Sequence, residues 1–142
     1  MSDRIDFLSD LKSDIQKEKD KLYEVDFVVN DQLHKIYYKE MTGADYSKIR
    51  NKSILTKKEV QLDGSTNEIK YIDDDELRIN IILDMARNKD GDRLFSMTDR
   101  EHKDIVKNMK FTTQCYLAYE MGLKPERDIL QLQREKLAKM NG

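Results

Sequence analysis

The spacing of apolar residues changes several times along this chain, and each change predicts an element. From residue 3 to 21, Ile5, Leu8, Leu11 and Ile15 recur three or four positions apart, with Leu22 beyond. That period predicts a helix with one narrow apolar stripe. Its second half, Gln16 to Lys21, is almost wholly charged. Between Tyr23 and Lys39 the period drops to two. Tyr23, Val25, Phe27 and Val29 alternate with Glu24, Asp26 and Val28, and a return strand runs from Leu33. Asn30 and Asp31 tolerate turn geometry, so the whole predicts a β-hairpin. A hairpin alone is marginal in water, and another strand or a helix must cover its apolar face.

Thr42 follows as the predicted N-cap of a short helix through Tyr46 and Ile49, with Asp45 favouring its dipole. Glu59–Leu62 and Glu68–Ile72 flank Asp63-Gly64-Ser65-Thr66-Asn67, which predicts a second hairpin, a mobile loop being the alternative. Asp73, Asp74, Asp75 and Glu76 then open a helix. Acids at a helix start stabilise its dipole without any ligand, and no histidine, cysteine or carboxylate elsewhere is spaced to complete a metal site. Leu77, Ile81 and Met85 share a stripe with Ile82 beside them, so this helix is expected to be well buried.

The most distinctive stretch is Asp84 to His102. An apolar helix ends in the polar turn Asn88–Asp92, where Gly91 is expected to supply a positive φ. Leu94 and Phe95 are then expected to pin the turn into the core. Thr98 and Glu101 have the spacing of a capping box. One helix is predicted through Ile105, Val106, Met109, Thr112, Tyr116 and Tyr119, ended by Gly122 and Leu123. Pro125 starts a last helix, where Ile129, Leu132 and Leu137 form a thin stripe among charges.

Together these elements predict an α+β fold, with small hairpins packed on a mainly helical bundle and amphipathic helices at both ends. The expected organisation is one domain over 1–142. It comprises a terminal helix (1–22), a hairpin-containing part (23–72), a helical core (73–122) and a last helix (123–142).

Composition narrows the partners. With 26 basic and 28 acidic side chains the net charge is -2, which offers no basic stripe for nucleic acid. The single cysteine, Cys115, forms no internal disulfide and fits a reducing cytoplasm. The opening residues lack the basic start and apolar centre of a signal peptide, and no run is long enough to span a membrane. A soluble intracellular protein is expected.

Residues for catalysis are not evident. The chain has no nucleophile-elbow sequence, phosphate-cradling glycine loop or dinucleotide fingerprint. His34 lies on an alternating strand and His102 on a helix's first turn, and neither has an orienting partner in the sequence. Tyr37 and Tyr38 sit between Lys35 and Lys39, but adjacent strand residues face opposite sides, and nearby acids oppose nucleic-acid stacking. Cys115, mid-helix, is expected to be a small buried hydrophobe. No cofactor is implied, and an enzyme is not expected.

Two segments carry a resemblance. Phe27 to Ile49 reads strand, turn, strand and short helix. An apolar helix later leads into Asp90-Gly91, then Leu94-Phe95-Ser96, then Asp99. This order resembles the tail assembly chaperones of long-tailed bacteriophages and prophages, over Tyr23 to Tyr119. The N-terminal charged helix and the Glu59–Ile72 segment do not match that pattern. The resemblance implies a non-enzymatic protein of the bacterial host cytoplasm, absent from the mature virion. It would bind the tape measure protein, keep its long helices soluble and help recruit tail tube protein. It also implies self-association, often into open spirals, and in many members a frameshifted longer form. The alternatives are a structural tail-completion or neck component and an unrelated regulatory binding module. For any of these, the predicted contact residues are Ile5, Leu8, Leu11, Ile15, Ile129, Leu132 and Leu137.

One ligand reading is testable directly. Aligning Gly91 with the sixth position of a calcium loop puts Asn88 and Asp90 at the third and fifth. It also puts Ala86 and Met97 where the two end carboxylates belong. Millimolar calcium, or a chelator, is therefore expected to leave the melting temperature unchanged. A clear upward shift with calcium would overturn that reading.

Overall fold

The computed structural model describes residues 3–96, 98–123 and 126–141; Met97 and Pro125 lie outside them, as do the side chains of Ile5 and Ile129. The chain runs α1 (Asp3–Lys19), β1 (Tyr23–Val29), β2 (Gln32–Tyr38), α2 (Gly43–Lys52), β3 (Ile54–Val60) and β4 (Thr66–Ile72). It continues through α3 (Asp74–Met85), β5 (Ala86–Arg87), α4 (Arg100–Lys107), α5 (Phe111–Met121) and α6 (Glu126–Asn141). The fold is α+β, with two small antiparallel sheets among its helices.

At its centre is α3. The Asp73 side chain accepts from the Asp75 N–H and caps the helix, with three further acids in the first turn. From Ile79 to Met85 every side chain is buried, so this helix has no solvent face over its second half. It packs against α5, α2 and α4, with Leu77, Ile81, Ile82, Leu117 and Met121 among the core residues. The expected stripe was too narrow a description, because the buried surface goes all round.

Two of those buried positions are polar, and α2 satisfies both. Asn80 and Asp84 lie four apart and hence on one face of α3. Asn80 Nδ2 donates to Ser53 Oγ at 3.1 Å, and that hydroxyl donates to the Ile49 carbonyl at 2.7 Å. Asp84, only 6% exposed, accepts from Lys52 Nζ at 3.1 Å and from Arg93 at 3.3 Å. The Arg87 guanidinium donates to the carbonyls of Asp84 and Ala86. Burial, then the charge of Arg93, lowers the Arg87 pKa against the opposing pull of Asp84 and Asp45. Thus α2, α3 and the following turn meet at one buried carboxylate.

The first sheet has the order β1-β2-β5. Asn30 and Asp31 both take positive φ, 52° and 61°, in the two-residue turn that suits strand twist. Val25 opposes Ile36, and Tyr23 stacks on Tyr38 at 5.5 Å, so this face closes over the core. Thr42 and Asp45 cap α2 reciprocally, a complete capping box.

Within the 84–102 stretch some expectations hold and others do not. Gly91 has φ +89°, and Asn88 Oδ1 accepts from the Asp90 and Asp92 amides. Phe95 is half-buried against the core, edge-on to His102. Leu94 does not pin the turn: it is 37% exposed. Its N–H donates to the Ala86 carbonyl at 3.1 Å, and the chain bends at Leu94 and Phe95, leaving Phe95 rather than Leu94 against the core.

The capping box at Thr98 and Glu101 does not form. Asp99 is the N-cap, accepting from the Glu101 N–H at 2.9 Å, and its carbonyl accepts from Lys103. A carboxylate one residue on is a stronger acceptor than the threonine hydroxyl, which instead meets Ser96 Oγ at 3.2 Å. His102 does have partners: Nδ1 accepts from the Ser96 N–H at 2.7 Å, and Nε2 lies 3.7 Å from Asp99.

The single helix expected through Tyr119 is two. Lys110, at φ −52° and ψ 137°, breaks it. Asn108 Nδ2 turns back to the Asp104 carbonyl, and buried Gln114 Nε2 donates to the carbonyls of Val106 and Lys107. Those bonds satisfy the carbonyls of Asp104, Val106 and Lys107 at the end of α4. Apolar periodicity runs through the corner and hides it.

The Asp84 cluster carries a prediction with a sign. Replacing both Lys52 and Arg93 by Ala leaves a buried carboxylate unpaired, a loss of about 3–5 kcal/mol. Denaturant melts of wild type and double variant at pH 8 check it. A variant no less stable than wild type at pH 8 contradicts the assignment.

Candidate interaction surfaces

Of the side chains predicted to make contacts, those of Leu8, Leu11, Ile15, Leu132 and Leu137 are described, and all five are exposed. In α1 every described side chain from Asp6 to Lys19 is exposed except half-buried Glu18. Leu8, Leu11 and Ile15 are among them. Phe7 joins the stripe, since Phe7, Leu11 and Ile15 are spaced four apart. Charges line the stripe on both sides, with Asp10 and Asp14 on one flank and Lys12 and Lys19 on the other.

One contact ties this helix to the sheet. Tyr23 donates its hydroxyl to Glu18 Oε2 at 2.6 Å, while Lys21 Nζ sits 4.8 Å over the ring. A crevice of about 550 Å³ lies alongside, lined by Ile15, Glu18 and Lys19 on one side and Lys39, Glu40 and Asp45 on the other.

In α6 every described side chain from Leu130 to Met140 is exposed. Leu132 and Leu137 are exposed, and exposed Leu130 and Met140 widen the apolar surface beside them. The structure does not bury these two stripes against each other or against the core. Phe7, Leu130 and Met140 were missed by the sequence reading, although helical spacing from Leu11 and Leu137 marks the first two.

A third surface was not foreseen as one. The β3–β4 hairpin forms as predicted, with Gly64 at φ +85° in its turn, and β3 reaches back to Ile54. Unlike β1–β2 it covers little of the core, which only Ile72 of its strand residues packs against. All its strand residues are exposed except half-buried Ile72. Val28 and Leu33, opposite each other near the β1–β2 turn, are also two-thirds exposed at 66% each.

The chemistry on these surfaces is apolar and charged. No group of three or more His, Cys, Asp or Glu that could hold a metal ion occurs among the described residues. Cys115 is half-buried. Of the described methionines, Met85 and Met121 are buried, Met41 and Met109 pack partly against the core, and Met140 is 84% exposed. Most methionine is therefore core filler, and Met140 alone of these is openly placed for contact. No helix among the described residues is long and apolar enough to cross a membrane.

No family model, curated protein or solved structure matches the chain.

The tie between α1 and the sheet is measurable. The Tyr23 phenol is pushed up to about 12, first by its bond to Glu18, then by burial and the charges of Glu18, Glu40 and Asp14. Unfolded tyrosine titrates near 10. The bond's stabilisation is therefore complete below pH 10 and lost as pH rises from about 10 to 12. Absorbance titration at about 295 nm, wild type minus Tyr23→Phe, should show a phenol ionising near the top of that window. A difference curve centred near 10 would mean that the bond is not made in solution.

Proposed function

We propose that this protein is a non-catalytic assembly chaperone of a phage or prophage tail. It binds the tape measure protein through the apolar faces of α1 and α6 and helps bring tail tube subunits to it. It works in the bacterial host's cytoplasm, is left out of the finished virion, and needs no cofactor. The same helices also serve in self-association.

The observation that carries this reading is the pair of solvent-facing stripes. Helices of 17 and 16 residues are marginal in water when nothing packs on them. Each Å² of apolar surface left in water is unfavourable by roughly 25 cal/mol, so docking on another helix is favoured. A client made of long amphipathic helices offers a matching surface, in which anchors three and four apart seat against one another. The order of hairpin, short helix, buried helix and Asp90-Gly91 turn supports the same reading through its resemblance to tail assembly chaperones.

Co-expression with the tape measure protein tests this directly. Wild type should keep the client soluble and co-purify with it and with tail tube protein. Leu8→Asp and Leu132→Asp should each reduce that yield severalfold while leaving the melting temperature within a degree or so, because both sites are already exposed. A client equally soluble without the protein, or variants that bind as wild type does, would overturn the reading.

A further inference from the structure

The free edge of β4 is complementary to itself. We propose that two copies of this chain pair there, β4 against β4, in an antiparallel register centred on Ile69, making a continuous four-stranded sheet about a two-fold axis. This surface is separate from the α1 and α6 stripes, and the inference does not depend on the chaperone reading.

The backbone limits the choice of register. At one end of the β3–β4 ladder the Gln61 N–H donates to the Ser65 carbonyl; at the other the Asp73 N–H donates to the Ser53 carbonyl. Both are odd-numbered pairs, and in an antiparallel ladder bonded and non-bonded pairs alternate. Odd residues of β4, Ile69 included, therefore bond to β3. The even ones, Thr66, Glu68, Lys70 and Ile72, aim their N–H and C=O groups at the open edge.

An antiparallel partner must set such outward residues opposite one another, which leaves registers two residues apart. Centring on Ile69 places Glu68 opposite the other copy's Lys70, and Lys70 opposite its Glu68, with both pairs of backbone groups bonded. Slipping one way places Lys70 opposite Lys70, and slipping the other way places Glu68 opposite Glu68. Only the Ile69 register sets unlike charges opposite at both sites, and unlike cross-strand pairs favour a register while like pairs oppose it.

The faces agree with this choice. Ile69 lies on the same face as Leu55 and Tyr71, which oppose each other in the hairpin, and all three are exposed. Pairing at β4 brings two such trios side by side, with Ile69 against Ile69 at the axis. The β3 edge suits self-pairing less well. Lys57, Lys58 and Glu59 stand in a row there, and a dyad on any of them opposes like charges. Charge on an exposed strand is a common guard against edge pairing. Completing the sheet would also explain a hairpin that touches the core only through Ile72, since two strands alone are marginal.

Complementary charge variants test the proposal. Lys70→Glu and Glu68→Lys each place like charges at both sites, so each alone should raise the dimer dissociation constant at least about tenfold. Mixed together they again oppose unlike charges, and the mixture should recover wild-type affinity by sedimentation equilibrium. In a Cys115→Ser background, Ile69→Cys should form a symmetric disulfide-linked dimer on oxidation, and Glu59→Cys should not. Single variants that associate as wild type does, a mixture that recovers nothing, or equal cross-linking at both positions would overturn the proposal. Because α1 and α6 are unchanged, these outcomes are read apart from client binding.

Discussion

From Ile79 to Met85, α3 has no side chain in water, and a helix without a solvent face has to be wrapped on every side. That requirement organises the molecule. Helices α2, α4 and α5 pack on α3, and β5 continues directly from its end to pair with β2, which brings the first sheet over the core. Each large apolar side chain buried here contributes roughly 1.5–3 kcal/mol relative to exposure. The two polar side chains in the same run are tolerated because Lys52, Ser53 and Arg93 reach them. The electrostatic joint at Asp84 is thus a condition of burying α3, and it links Lys52 at the end of α2 to Arg93 after the 88–92 turn.

Wrapping one helix uses up α2, α4, α5 and the β1–β2 hairpin. Of the described side chains in α1, α6 and β3–β4, Ile72 packs on the core, and all three elements carry apolar side chains into solvent. Phe7, Leu8 and Leu11 are exposed, Ile15 lines an open crevice opposite Lys39 and Glu40, and Leu130, Leu132 and Leu137 are exposed. Elements with few buried apolar contacts open more readily than a packed centre, which is the physical basis for proposing the periphery as the contact surface. The exposed surfaces differ in kind. The terminal helices offer side-chain stripes suited to other helices, while the β4 edge offers backbone groups suited to another strand.

Much of this was legible in the sequence, and the failures have physical causes. The type of β1 and β2 followed from the two-residue period and Asn30-Asp31, and the α2 cap from Thr42 and Asp45. The second hairpin was legible from Gly64 and its flanking strands, but nothing local revealed how little of the core it covers. Burial by other elements is a tertiary property, which is also why the Asn80–Asp84 face of α3 went unread. The α4–α5 corner was hidden because Val106, Leu117 and Met121 keep a helical rhythm across it while Gln114, a polar residue in that rhythm, supplies the caps. Thr98 lost the cap to Asp99 in a competition between neighbouring acceptors that spacing alone does not rank. The stripes on α1 and α6 were read correctly as apolar faces, apart from Ile5 and Ile129, whose side chains lie outside the described residues.

The central claim is that the exposed apolar side chains described on α1 and α6 are covered by an external partner. Hydrogen exchange of the dilute protein, followed by mass spectrometry, measures this most directly, because amide protection reports local opening. The account predicts that α1 and α6 exchange far faster than α3 in the protein alone, and that both slow markedly when a client helix is bound. Protection of α1 and α6 equal to that of α3 in the isolated monomer would contradict it.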